Sequence, residues 1–225
     1  MIVSVPSSAR RGFSLIELLV VISIIALLAA FTLVGVASIA KSRKISTARG
    51  ELNQLAVALD NYKAKYGSYP PGTTYNVWPT VATNQLYYEL SGAVYNSSAN
   101  TFTNLDGSGT ITTSDLNNAF GVSGLMNITK GSGEDAKAAK NFLPGLRPNQ
   151  VGYFQAPNGN LISNLVTSVG GPDDKYYPTG NPFRYQYPGT NNPNGYDLWV
   201  ELKIGGKYYL VCNWNNSAQV NSIYP

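Results

Sequence analysis

The chain has no histidine, and its only cysteine is Cys212. Imidazole general acid–base chemistry, Ser/His and Cys/His nucleophilic pairs and the usual zinc sites are therefore excluded. An intramolecular disulfide is excluded too. Cys212 ends the apolar run Tyr208-Tyr209-Leu210-Val211-Cys212, where a thiol reads as a small buried hydrophobe. Charge is also sparse: Asp, Glu, Lys and Arg together make 12% of the residues, with a net +4. No basic stripe interleaves with aromatics, so nucleic-acid binding is not expected. Proline is missing between Pro6 and Pro70, leaving a long stretch with nothing to break a helix. What the chain has instead is tyrosine, 16 against 7 Phe, together with 22 Gly. Tyrosine covers apolar surface while keeping a hydroxyl for water, as suits a loop-rich β surface outside the cytoplasm.

From Phe13 to Ala40 the residues are apolar apart from Glu17 and a few small hydroxyls. Leu18 to Ala40 is uncharged, and as a helix it extends roughly 35 Å, enough for a bilayer. A buried core helix, a cleavable secretory signal ending at Gly35-Val36-Ala37, and a plain membrane anchor all remain open for this stretch. None of the three accounts for a carboxylate one turn inside the grease. An acid there is expensive without a partner, which marks Glu17 as functional.

The segment Arg10-Arg11-Gly12-Phe13-Ser14-Leu15-Ile16-Glu17-Leu18-Leu19-Val20-Val21 resembles the processing site of type IV prepilins and type II secretion pseudopilins. The resemblance implies that a dedicated prepilin peptidase cuts between Gly12 and Phe13 on the cytoplasmic side. It also implies that Phe13 becomes the N-methylated first residue and that Glu17 stands fifth in the mature chain. Removing Arg10 and Arg11 with the leader leaves 14 basic against 12 acidic residues. Glu17 of one subunit is expected to neutralise the new Phe13 amine of its neighbour, because two buried charges are each costly alone and tolerable paired. Subunits docked at another height would leave both uncompensated, so the pair sets the axial register. Arg10 and Arg11 on one flank and Lys41, Arg43 and Lys44 on the other nearly balance. The cytoplasmic leader and periplasmic head are therefore implied by the resemblance and not by charge counting.

Beyond the apolar run, Ile45, Ala48, Leu52, Leu55, Ala56, Leu59, Tyr62 and Tyr66 recur at three- and four-residue steps. Arg49, Glu51, Asn53, Gln54, Asp60, Lys63 and Lys65 lie between them. This predicts one helix from about Phe13 to Tyr66, stopped by Gly67-Ser68-Tyr69-Pro70-Pro71-Gly72. Residues 60–70 and 180–189, Tyr196-Asp197-Leu198-Trp199 and Asn213-Trp214-Asn215 resemble the major pseudopilin of type II secretion. Alternation of Phe183, Tyr185 and Tyr187, then Leu198, Val200, Leu202 and Ile204, then Tyr208, Leu210 and Cys212 predicts antiparallel strands. Asn194-Gly195 and Gly205-Gly206 are hairpin turn dipeptides.

The expected fold is thus α+β, a pilin fold. It comprises a leader (1–12), a transmembrane and assembly half-helix (13–40), an amphipathic half-helix (41–66) and a head (67–225). The head holds a long irregular insertion (73–175) and a small antiparallel sheet (176–225). Helices are expected at 84–90 and 135–142 within the insertion, since a structureless loop of that length does not suit a compact domain.

The insertion also contains a run with calcium-loop spacing: Asn104, Asp106, Ser108, Thr110, Thr112 and Asp115 supply oxygens, and Gly109 stands at the sharp turn. The alternative is an ordinary Asp-Gly-Ser-Gly turn. The site the family uses for calcium, between its last strands, is not expected, because 201–211 holds only Glu201 as an acid. The acidic clusters Glu134-Asp135 and Asp173-Asp174 read as solvated loop carboxylates, and no catalytic constellation is found.

Three functions follow from these residues. The first is a structural, non-enzymatic subunit of a type II secretion pseudopilus in the bacterial inner membrane, supporting protein export. Its partners would be copies of itself, minor pseudopilins, the prepilin peptidase/methyltransferase, and an assembly platform with a separate ATPase. The second is a surface type IV pilin for adhesion, motility or DNA uptake, and the third a membrane-anchored binding or enzymatic domain behind a pilin-type leader.

Overall fold

The proline-free stretch folds as a single element, helix α1, Leu15–Tyr66. A computed structural model describes residues 12–72, 84–129, 138–156, 158–170 and 180–220, without the side chains of 31–37. The expected leader, apart from Gly12, lies outside these residues. Two compact units divide the chain, Met1–Ser42 and Arg43–Pro225. Among the described residues no helix is long and apolar enough to cross a membrane. The span expected over 13–40 falls partly on 31–37.

In the second unit the helical stripe is the spine of the core. Ala48, Leu52, Leu55, Ala58, Leu59 and Tyr62 are buried, while Ile45, Ala56 and Tyr66 pack partly against them. The stop at Gly67 follows the left-handed cap: its φ is 82° and its N–H donates to the Lys63 carbonyl at 2.7 Å. Glycine alone takes that conformation without a Cβ penalty.

The C-terminal strands form as their alternation predicts. Strands β8 (Arg184–Gln186), β9 (Asp197–Ile204), β10 (Lys207–Cys212) and β11 (Asn215–Val220) make an antiparallel sheet in the order β11-β10-β9-β8. Gly205 and Gly206, both at positive φ, close the β9–β10 hairpin with Ile204 opposite Lys207. That two-residue turn matches the twist of the strands it joins. Leu198, Val200, Leu202, Tyr209 and Val211 face the core shared with α1. Trp199, Leu210 and Cys212 form a second cluster with Trp214, and burial pushes the Cys212 thiol up.

Among its described residues, the long insertion holds short helices and strands of its own. Helix α2 (Leu86–Ser91) leads into β1 (Ala93–Asn96), β2 (Thr101–Asn104) and β3 (Thr110–Thr112). Helix α3 (Thr113–Phe120) and β4 (Ile128–Thr129) follow. These strands form a sheet ordered β3-β2-β1-β4, with β1 and β4 parallel. A further sheet orders β5 (Val151–Gln155), β6 (Leu161–Thr167) and β7 (Asn181–Pro182). Apolar residues are sparse and interrupted by Gly, Asn and Ser in the insertion, so sequence periodicity did not mark these short strands.

The helix expected at 84–90 is present as α2. The one expected at 135–142 is not formed over 138–142, and 135–137 lie outside the described residues. Its amides are bonded elsewhere: Ala139 N–H to Thr129 Oγ1 (3.2 Å), Lys140 N–H to Asn127 Oδ1 (2.9 Å) and Phe142 N–H to the Leu90 carbonyl (2.8 Å). Tertiary hydrogen bonds replace the helical ladder there.

Candidate functional site

Residues 12–14 carry no regular structure, and helix α1 starts immediately after them. A peptide bond in extended, exposed chain can enter a peptidase cleft, whereas one inside a helix must first unwind. The Gly12–Phe13 bond lies in exposed chain ahead of the helix. Among the described residues nothing lies within 4 Å of where a Cβ on Gly12 would point, and Phe13 is 80% exposed.

Glu17 has a local partner that the spacing already contained. Its carboxylate accepts from the Ser14 backbone N–H at 2.8 Å, and the Ser14 hydroxyl accepts from the Glu17 N–H at 3.3 Å. This is a reciprocal capping box, which satisfies two amides that the start of a helix otherwise leaves open. Ser14-Leu15-Ile16-Glu17 carries the S-x-x-E signature of that motif, a signal that the emphasis on Glu17's charge passed over. Around the box, Phe13, Ile16, Glu17, Val20 and Val21 line a groove of about 350 Å³. From Leu15 to Leu28 the large apolar side chains stand exposed.

The six residues with calcium-loop spacing adopt another arrangement. Thr103 pairs with Thr110 and Thr101 with Thr112, so β2 and β3 form a hairpin with Asp106 at its tip. Asp106 Oδ1 accepts from the Ser108 N–H at 2.9 Å and also from its hydroxyl, and the Ser108 bonds hold its carboxyl below the usual range. Asp115 sits beyond the hairpin's other end, in the first turn of α3, where Thr112 is the N-cap. Its carboxylate accepts from Thr112 Oγ1 (2.8 Å), Asn158 Nδ2 (2.6 Å) and Asn160 Nδ2 (3.2 and 3.1 Å). Amide N–H groups aimed at a carboxylate take the place a cation would need. The residues therefore do not fit a calcium loop. Among the described residues no group of three or more Asp, Glu, Cys or His could hold a metal ion.

Three buried carboxylates that the sequence does not single out, Glu51, Glu89 and Asp197, are bonded within the head. Glu51 is only 4% exposed. It accepts from Thr167 Oγ1 (2.7 Å), the Ser168 N–H (3.1 Å) and the Ser168 hydroxyl, and Arg147 lies 3.6 Å away. Glu89 is fully buried and accepts from Tyr62 Oη (3.0 Å), the Met126 N–H (2.8 Å) and the Asn127 N–H (3.0 Å). Asp197 accepts from the backbone and side-chain nitrogens of Asn191 and Asn192. Each acid is matched by N–H or O–H donors, as buried charge requires. For Glu51 and Glu89 sequence periodicity cannot reveal this, because their donors come from elements remote along the chain.

Residues 7–36 match the model of the prokaryotic N-terminal methylation motif. The chain is also 41% identical over 61 residues to the type II secretion system core protein G of Pseudomonas aeruginosa. That alignment covers 27% of this chain and 43% of that protein, so the chain spans less than half the length of the curated relative it matches. No solved structure matches it. The chain thus carries the prokaryotic N-terminal methylation motif ahead of a capped helix and a mixed α+β head, and over 61 residues it is similar to a type II secretion system core protein.

Proposed function

We propose that this chain is a structural subunit of a type II secretion pseudopilus, cut between Gly12 and Phe13, methylated on Phe13 and polymerised through the first half of α1. The observation that carries this reading is the helix itself. From Leu15 to Leu28 it presents an exposed apolar surface containing one acid, while its second half is the spine of a folded head. A helix so exposed needs lipid or other helices around it. The uncharged run Leu18–Ala40 suits storage in the inner membrane with the head in the periplasm, followed by extraction into a filament. The partners under this reading are copies of the same chain, minor pseudopilins, the prepilin peptidase and a platform driven by a separate ATPase. The role is mechanical, not enzymatic.

The capping box refines the role of Glu17. Before assembly the carboxylate has the Ser14 amide, so the free subunit does not carry a partnerless acid in its apolar stretch. In the filament the methylated Phe13 amine of a neighbour competes for the same oxygen atoms, and an ammonium donor forms the stronger, charge-assisted bond. Assembly thereby exchanges a local cap for an intersubunit pair that fixes register. The test is cross-linking of subunits in cells producing wild-type, Glu17→Gln or Glu17→Leu chains. Both variants are expected to be processed and membrane-associated, with cross-linked ladders reduced at least about tenfold. Wild-type ladders from Glu17→Leu would contradict the proposal.

A surface type IV pilin is the second reading. It is favoured by the two extra sheets in the insertion, which enlarge the displayed head beyond what a helix and one sheet need. Long filaments outside intact cells would select it.

A further inference from the structure

We infer that the head carries a glycan-binding subsite, a cleft that takes a single pyranose ring. The inference is independent of how the N-terminal helix is used. The cleft has a volume of about 260 Å³ and is lined by Tyr87, Asp106, Ser108, Leu146, Arg147, Pro148, Val151 and Tyr153. That volume lies just under the ~300 Å³ at which ligand pockets usually begin, which suits a single ring.

The lining divides into two kinds of surface. On the polar side the Tyr87 and Ser108 hydroxyls are 2.7 Å apart, and Ser108 is in turn fixed by Asp106 Oδ1. Asp106 Oδ2 takes no hydrogen bond among the described residues, and Asp106 is ionised at neutral pH. Arg147 lines the same cleft with its side chain 61% exposed. Its orientation is set from behind: Nε donates to Gln150 Oε1 at 3.3 Å, and Nη2 lies 3.6 Å from Glu51. The apolar side is Leu146, Pro148, Val151 and the ring of Tyr153, which is 42% exposed.

The polar wall is held rigidly. Gly109 allows Tyr87 its place, because a Cβ there would come within 2.9 Å of the Tyr87 ring. Asn104 is close enough to the Tyr87 hydroxyl to act on its ionisation. It is buried with both amide atoms outside hydrogen-bond geometry among the described residues.

A pyranose ring answers both surfaces. Its C–H face lies on tyrosine and aliphatic carbon, while its hydroxyls donate to Asp106 and accept from Arg147. A free amino acid would satisfy Asp106 and Arg147 as a zwitterion, but it has no flat apolar face for Tyr153. It is the alternative the test must separate.

The full chain is kept in a zwitterionic detergent without a sugar headgroup, since a maltoside would compete. Saturation-transfer NMR is read for glucose, glucuronic acid and a disaccharide of each, with glycine as competitor. The expected result is saturable transfer to ring C–H protons of a sugar, undiminished by excess glycine. Tyr153→Ala should weaken it about tenfold, and Tyr153→Phe, which keeps the ring, should leave it within about twofold. Arg147→Lys should weaken glucuronic acid more than glucose. Should Tyr153→Ala lose its folded circular dichroism, the Phe and Lys variants still decide. Absence of saturable transfer from every sugar, full displacement by glycine, or indifference to both Tyr153→Ala and Arg147→Lys would overturn the inference.

Discussion

Replacing Tyr62 by Phe removes one oxygen atom from the middle of the head and nothing else. The tyrosine is fully buried on α1, its ring 4.7 Å from that of Tyr66 and 5.7 Å from that of Phe142. Phe keeps those contacts, so no cavity opens. What disappears is the donor to Glu89 Oε2 at 3.0 Å. Burial, and then the neighbouring carboxylate, drive the Tyr62 ionisation far up, so the hydroxyl is always the donor. A hydrogen bond to a charged acceptor contributes about 1.5–3 kcal/mol. The Met126 and Asn127 amides still serve Glu89, so the loss should sit at the lower end, about 1.5–2 kcal/mol. For a chain of this size that is a fall in Tm of roughly 3–8 °C. Thermal and urea unfolding of the full chain in detergent, followed by near-ultraviolet circular dichroism, reads both quantities. Tyr66→Phe is the control: its hydroxyl serves the Asn127 side chain at 2.6 Å in a part-buried position and should cost less. A Tyr62→Phe change below about 0.5 kcal/mol would refute the idea that the helix is latched to the insertion through Glu89.

Glu51→Ala strips the acceptor from Thr167 and Ser168 and is expected to destabilise the head by about 2–4 kcal/mol in urea unfolding, whereas Asn53→Ala, on the exposed face, should change it by less than about 0.5. Alkali should unfold the head early. Burial pushes the Tyr88 hydroxyl up to about 12, so its contribution is intact below pH 10 and is lost as pH rises from about 10 to 12. That loss amounts to about 2–3 kcal/mol, visible as a falling urea midpoint over that window and reduced in Tyr88→Phe. Ser14→Ala removes one half of the capping box while keeping Glu17. It should leave the processed chain able to assemble, whereas Glu17→Leu should not; equal assembly defects in the two would contradict a separate intersubunit role for Glu17.

The helix and the C-terminal sheet were legible because each is long or regularly patterned. A stripe at steps of three and four residues, ended by Gly67, needs no distant partner to be recognised. The same holds for alternation around Gly205-Gly206. The insertion was not legible for the opposite reason. Its strands run two to seven residues, too short for alternation to mark them although most pair with a neighbour in sequence, and its one calcium-like run is a hairpin plus a helix cap whose acid is claimed by Asn158 and Asn160. Periodicity also assigned Glu51 to solvent, although Thr167 and Ser168 draw it inside. Ser14 was readable in principle, since S-x-x-E before an apolar run is a local signal, but Glu17 was weighed only as a charge.

The proposed role depends on one event at the N-terminus, cleavage that turns Phe13 into the first residue four places ahead of Glu17. Intact-mass and N-terminal peptide mass spectrometry of the chain from its native membrane tests this directly. The predicted product begins at Phe13 with one added methyl group and retains everything downstream. A chain that still begins at Met1, or one that begins after Ala40, would contradict it.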